Sequence, residues 1–231
     1  AKLANERSIL LAIDNTFTTP RAFQPYTHGA DIVIHSVTKL LAGHSDVTLG
    51  YVSARTPALM ERMYDASVTW GMTPSPFDCW LAERGLHTFE LRYDRAEENA
   101  ARLATLLAEQ PGVEAVIYPG RADHPDGDLS TRILGNRTAN MVSFRLRDDR
   151  GVANRFIRAA ASLPFAPTLG DVATTISHPP SSSHRRLSPN ERAALGITEG
   201  FFRVSVGVEH FDVIGPEFAD AIAAATNATT A

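Results

Sequence analysis

Lysine is scarce in this chain: of 22 lysines and arginines together, only Lys2 and Lys39 are lysines. Arginine keeps its proton in a protein, whereas a partly desolvated lysine can become a neutral amine and attack a carbonyl. Lys39 follows an apolar run, Asp31 to Ser36, and precedes Leu40-Leu41-Ala42-Gly43. Two readings stand open for it: a lysine that snorkels from a surface turn, or a nucleophile that forms a Schiff base. Ser36 and Thr38 place hydroxyls beside it, and Gly43-His44-Ser45-Asp46 follows. Small hydroxyls and backbone amides around a reactive amine suit a phosphorylated cofactor. Asp14 closes a second apolar run, Ser8 to Ile13. It reads either as an Asx-turn or cap, or as a buried carboxylate that needs a cation such as a protonated pyridine nitrogen.

These residues need elements to hold them. Ser8 to Ile13 predicts a strand buried on both faces, the pattern of a parallel sheet, and Asp31 to Ser36 predicts a second. A third strand is expected over Val47 to Ala54. Open α/β sheets bind ligands at the carboxyl ends of their strands, and Asp14 and Ser36 to Lys39 both fall there. Ser75 can cap a helix with Pro76 in its first turn. Helix-forming residues then run to about Glu109, with Gly85 as a bend or break, and stop at Pro111-Gly112. Ala100, Leu103, Ala104 and Leu107 keep helical spacing within that stretch.

The composition then changes. Strands are expected over Val113 to Tyr118 and Met141 to Arg147, separated by a polar loop with a short helix inside it. A helix covers about Asp148 to Ser162. His178 and His184 flank a loop rich in Pro, Ser and Arg that reads as a mobile, substrate-side segment. Ser188-Pro189-Asn190-Glu191 is a capped helix start. Phe202, Val204, Val206 and Val208 alternate with Arg203 and Ser205, so a strand there turns Arg203 away from the valines. An Ala-rich amphipathic helix spans Asp212 to Thr226. The fold class is therefore α/β, with an α+β unit following, and the division is placed between residues 1–97 and 98–231.

Hydrophobic residues at 44% and charged residues at 21% describe a globular protein. A net charge of -4 argues against a nucleic-acid partner. No apolar run approaches the roughly 18 residues of a membrane span. Cys79, the one cysteine, permits no internal disulfide and suits the cytoplasm; its aromatic surroundings place it in the core. Asp123 to Asp128, with His124, has the wrong spacing for a calcium loop and no bidentate glutamate, so no metal is expected.

The motifs converge on one family. Asp14-Asn15-Thr16-Phe17, Ser36-Val37-Thr38-Lys39 and Gly43-His44-Ser45-Asp46 resemble the cofactor-lysine signature of the Cys/Met-metabolism enzymes that use pyridoxal phosphate. Later blocks resemble the family in order: Ser75 to Cys79 with Arg84-Gly85-Leu86, Tyr118-Pro119-Gly120 with His124-Pro125, and Leu195 to Thr198 with Arg203 to Gly207. The resemblance implies a fold-type I, aspartate aminotransferase-like architecture. Residues 1–97 would be part of its large parallel-sheet domain and 98–231 its smaller C-terminal domain. It implies Lys39 as the Schiff-base lysine, Asp14 on the pyridine nitrogen, Ser36 and Thr38 on the phosphate, and Arg203 on the substrate α-carboxylate. Thr168-Leu169-Gly170-Asp171 stands where the family has a serine, a leucine and two glycines. Thr168 is thereby placed at the substrate, and Asp171 adds a charge near its carboxylate. Asn140 replaces a further glycine.

The activity so implied is elimination or replacement at the γ-carbon, or the β-carbon, of a sulfur-containing or O-acylated amino acid. A cystathionine synthase or lyase fits first, with O-acetylhomoserine sulfhydrylase and methionine γ-lyase as alternatives. The family also implies a homo-oligomer, a dimer of dimers. Its members carry a longer N-terminal part ahead of these motifs. The contrasting expectation is therefore a non-catalytic fragment, or a subunit that depends on a partner.

Overall fold

A computed structural model describes residues 1–227. The chain forms two compact units, Ala1–Tyr93 and Asp94–Ala231. The division thus follows Tyr93, where the sequence placed it after Glu97.

The first unit contains α1 (Lys2–Glu6), β1 (Ala12–Asp14), α2 (Thr19–Ala22), β2 (Ile32–Ser36), β3 (Gly50–Ala54), α3 (Pro57–Thr69) and α4 (Pro76–Leu86). Its sheet runs β1-β2-β3. β1 pairs in parallel with β2, Asp14 standing opposite Ile34, and β3 pairs antiparallel with β2, Gly50 opposite Ser36. Three sequence readings need correction. The strand expected from Ser8 starts only at Ala12, because α1 occupies the chain before it and Ser8 sits at φ 52, a left-handed backbone foreign to a strand. β1 is not buried on both faces either: Ala12 and Asp14 are exposed and Ile13 is half-buried. β3 begins at Gly50 rather than Val47 and makes the sheet mixed rather than parallel.

Helix α3 escaped the sequence reading although Thr56 caps it and Pro57 opens it. None of its residues is buried, so it carries no apolar stripe against a core. The long helical stretch breaks after Gly85, giving α4 and α5 (Phe89–Glu109). Ser75 caps α4 through the amides of Phe77 and Asp78. Cys79 on α4 is exposed, as are Phe77 and Trp80 on either side of it, which corrects its placement in the core. Those rings stack on each other, 5.9 Å apart, instead of covering the thiol. The small core of the unit joins Val37, Ala42, Val47 and Ala82, with Leu41, Leu49 and Leu81 packed on them. The residues around Lys39 are thereby folded onto α4.

The second unit holds β4 (Val113–Ile117), α6 (Gly127–Leu134), β5 (Met141–Leu146), α7 (Arg150–Ala159), β6 (Thr175–Ser177), α8 (Pro189–Ala194), β7 (Phe201–Ser205) and α9 (Phe211–Thr226). The sheet is antiparallel throughout, in the order β4-β5-β7-β6. Only β6 was missed; three residues are too few for a period to show. Ala100, Leu103, Ala104 and Leu107 of α5 are buried with Phe156 of α7 and Ile214, Phe218 and Ile222 of α9, against one face of the sheet. Phe144 of β5 stacks on Phe202 of β7 at 5.4 Å and meets Phe156 edge-on at 5.5 Å. Each such ring contributes roughly 1.5–3 kcal/mol by leaving water, which fixes which face of the sheet points inward. The other face carries Ser143, Arg203 and Ser177 in one cross-strand row.

Candidate functional site

Parallel pairing of β1 and β2 brings Asp14 and Ser36 to neighbouring strand ends, and one residue ties them together. The Thr16 hydroxyl donates to Asp14 Oδ1 at 2.5 Å and accepts from the Ser36 amide at 2.8 Å. The Thr16 amide also donates to Asp14 Oδ1, closing an Asx-turn. Both readings of Asp14 thus meet in part: it does form the turn, yet the turn uses only Oδ1. Oδ2 takes no hydrogen bond among the described residues. The carboxylate is exposed rather than buried. The loop beneath it is held by Asn15, whose amide donates to Ile34 O and whose side chain donates to Phe23 O.

After β2 the chain folds into a turn at Val37 to Ala42. The Lys39 amide donates to Ser36 O, and Ala42 and Gly43 donate to Val37 O and Lys39 O. Thr38 anchors the turn to the segment leading into β3: its hydroxyl accepts from the Leu49 amide at 2.9 Å and donates to Leu49 O at 3.3 Å. The donation is long and weak. The Ser36 hydroxyl makes no hydrogen bond among the described residues. Lys39 is half-buried, between the buried side chains of Val37 and Leu40. His35 is buried on β2 with Nδ1 unpartnered; burial pulls its pKa below the ordinary histidine value, against the opposing charge of Asp14.

The sequence reading missed Arg92. This arginine of α5 is 9% exposed. It donates to Leu40 O at 2.8 Å, Leu41 O at 2.9 Å and Gly85 O at 2.8 Å, and its Nε to the Thr88 hydroxyl at 3.0 Å. Nothing in its local sequence announces this, since two of its acceptors lie more than fifty residues away. The glycine at Gly85, noted only as a helix break, was the available hint.

Arg203 and Thr168 belong to the second unit. Alternation along β7 turns Arg203 away from Phe202 and Val204, as expected, and pairs it with Ser143 on one side and Ser177 on the other. Its Nε is buried without a hydrogen-bond partner, and no ion pair reaches it among the described residues. Burial alone pulls its pKa down. Arg137, Arg150 and Arg192 of the same unit all hold carboxylates. The Ser205 hydroxyl accepts from the Gly170 amide at 2.8 Å and from Asn140 Nδ2 at 3.2 Å, which fixes the loop carrying Thr168 and Asp171. Asp171 spends one carboxylate oxygen on the Ala173 amide. On β6, Thr175 presents a buried hydroxyl with no partner. The segment after His178 is better tied than a mobile loop: His178 is fully buried and bonds Ser181 Oγ and Glu199 O, and Pro179 and Pro180 are buried. Among the described residues no group of three or more His, Cys, Asp or Glu side chains could hold a metal ion, and no helix is long and apolar enough to cross a membrane.

Asp14, Ser36 and Lys39 are thus linked by hydrogen bonds through Thr16 in one unit, with Thr38 held to Leu49 in the same turn, and Arg203 and Thr168 share the other unit. The first group fits pyridoxal phosphate: an amine, a carboxylate with an open oxygen, and a hydroxyl with no protein partner.

Comparison with known proteins agrees. The family profile described as Cys/Met metabolism PLP-dependent enzyme matches residues 1–223. A cystathionine beta-lyase of Bacillus subtilis is 39% identical over 222 residues, 96% of this chain and 56% of that protein. An O-succinylhomoserine sulfhydrylase of Pseudomonas aeruginosa is 40% identical over 97% of this chain and 55% of its own length. The crystal structure of cystathionine gamma synthase from Xanthomonas oryzae pv. oryzae superimposes with a TM-score of 0.92 at 34% identity, covering 98% of this chain and 58% of that one. The fold-type I architecture is therefore that of this chain, which spans a little over half the length of the relatives it matches.

Proposed function

Because the chain belongs to the Cys/Met-metabolism family of pyridoxal-phosphate-dependent enzymes, we propose that it serves elimination or replacement at the γ-carbon, or the β-carbon, of a sulfur-containing or O-acylated amino acid. The observation that carries this reading is the bonded set Asp14–Thr16–Ser36–Lys39 at the ends of β1 and β2. Pyridoxal phosphate, when bound, supplies an electron sink for charge developing on the substrate carbons. Lys39 would hold it covalently, and its Nζ, set free when the substrate amine takes its place on the cofactor, would move protons at those carbons. Asp14 offers Oδ2 to the protonated ring nitrogen while Oδ1 stays on Thr16. Ser36 gives its open hydroxyl to the phosphate, and Thr38 gives the O–H now spent weakly on Leu49. Arg203 forks onto the substrate α-carboxylate, with Thr168 beside it; the unpaired guanidinium is the support for that role. In this assignment 1–97 belongs to the cofactor-binding domain and 98–231 to the C-terminal one.

A cystathionine synthase or lyase is the first substrate reading. A sulfhydrylase or methionine γ-lyase stands beside it, since relatives of those names match equally well. Assembly as a homo-oligomer fits the exposed Trp70, Tyr64, Met72 and Leu91. A cytoplasmic setting fits the single cysteine.

The test uses both lysines. The protein is incubated with pyridoxal phosphate, reduced with borohydride and mapped by peptide mass. Attachment should fall on Lys39 far more than on Lys2, with a yellow protein before reduction. A colourless protein, labelled no more at Lys39 than at Lys2, would favour the non-catalytic reading.

A further inference from the structure

We infer that Arg92 is a positioning residue for Lys39: it fixes the backbone of the turn from which that lysine projects. The inference rests on the cofactor role of Lys39 proposed above. Arg92 donates to three backbone carbonyls, and two of these, Leu40 O and Leu41 O, immediately follow Lys39. The third, Gly85 O, belongs to α4. One guanidinium therefore ties the turn to the helix on which it packs. Only a planar fork of donors can do this; an ammonium at the end of a lysine presents a point charge and cannot span acceptors so arranged. Hydrogen bonds from a charged donor are also the stronger kind, and leaving buried carbonyls without donors is costly.

Two glycines show how closely the parts are fitted. Gly43 has φ 77, and a Cβ there would lie 1.8 Å from Arg92 Nη1. A Cβ on Gly85 would lie 2.4 Å from Ala42 O. The guanidinium thus fills the space beside Gly43, while the bare face of Gly85 admits the turn. Lys39 sits between two anchors: Thr38 is held by Leu49 on one side, and Leu40 and Leu41 by Arg92 on the other. A long side chain reaches a fixed target reproducibly only from a fixed Cα. Arg92 supplies half of that fixing without touching the reacting atoms.

The experiment compares the protein with Arg92→Lys, Arg92→Gln and Thr88→Val, each treated with pyridoxal phosphate and borohydride. The readout is the ratio of attachment at Lys39 to attachment at Lys2, taken at a temperature where circular dichroism shows every protein folded. A purely structural loss lowers the folded fraction and leaves this ratio in folded protein unmoved. Positioning predicts that the ratio falls about tenfold or more in both Arg92 variants, the loss expected for hydrogen bonds to a charged donor. Thr88→Val removes the acceptor of Nε and a long donation to Gly85 O, at an exposed residue, and should lower the ratio a few-fold; it decides the matter if the Arg92 variants do not fold. Faster amide exchange at Ala42 and Gly43 should accompany the fall. An unchanged ratio in folded variants, with Lys39 still preferred, overturns the role of Arg92 and leaves the cofactor reading standing. A ratio near one in the unsubstituted protein overturns the cofactor reading, and the inference with it.

Discussion

The Ser36 amide donates to the Thr16 hydroxyl at 2.8 Å, so the end of β2 is built onto the loop that follows β1. The same hydroxyl donates to Asp14, so one side chain joins the carboxylate to the strand end that leads into the Lys39 turn. Thr16→Val keeps the shape and removes both bonds. It should lower unfolding stability by about 1–3 kcal/mol, the cost of an unmade bond at a part-buried donor, and weaken pyridoxal phosphate binding as well. Thr16→Ser should restore both. Urea unfolding and a cofactor titration measure the two effects, and a valine variant that binds the cofactor normally would show the joint to be irrelevant to the site.

Lys39→Ala should end covalent attachment of pyridoxal phosphate outright, because Lys2 on α1 is the only other lysine. Mass mapping after borohydride reads this directly. A yellow, reducible Lys39→Ala protein would remove Lys39 from the assignment.

Arg203 separates stability from function. Its half-buried guanidinium has no carboxylate partner, so Arg203→Met should leave unfolding stability unchanged or raise it by up to about 1 kcal/mol. Arg203→Lys keeps the charge and loses the fork; kcat/KM for an amino-acid substrate in the active holoenzyme should fall roughly ten- to a hundredfold with cofactor absorbance intact. Equal kcat/KM in the lysine variant would remove Arg203 from the substrate carboxylate.

Gly85→Ala reverses the usual helix rule. Alanine in a helix interior is worth about 1 kcal/mol over glycine, yet here its Cβ would meet Ala42 O at 2.4 Å. The variant should lose stability by roughly 1–3 kcal/mol through overpacking. A rise in Tm would show that the turn yields.

His178 gives a pH dependence whose sign is fixed. Burial lowers its pKa from the ordinary 6.5, so the unfolded chain binds the proton more readily than the folded one. Its contribution is complete above the unfolded value and is lost as pH falls from there through the folded pKa. The slope is at most about 1.4 kcal/mol per pH unit for one histidine. Unfolding measured at about pH 7.5 and 5.5 should show a smaller loss in His178→Asn than in the unsubstituted protein. His35, buried and shifted the same way, adds to the loss in both.

The amino-acid sequence exposes residues whose chemistry is rare and elements whose period is long. Lys39 stood out by scarcity, and β5, β7 and α9 by alternation or by amphipathic spacing that the Phe144–Phe202 core requires. What stayed hidden depends on distant partners. Arg92 looks like any helix arginine until its carbonyl acceptors at Leu40 and Leu41 are in view. The extent of β1 turned on Ser8, whose left-handed backbone no composition rule foresees. Cys79 looked internal because Phe77 and Trp80 flank it, but those rings pack on each other.

The bonds between Thr38 and Leu49, one from the Thr38 amide and two through its hydroxyl, extend the β2–β3 ladder past its last strand pair, Ser36 with Gly50. That closure seals off His44, Ser45 and Asp46, which are exposed. Added residues at this point would lengthen a loop already shut at its base, and each doubling of loop length costs only about 0.6 kcal/mol. Insertions between His44 and Asp46 should therefore leave Lys39 where it is, making this the place on the turn where a tag or a fluorescent reporter can be grafted.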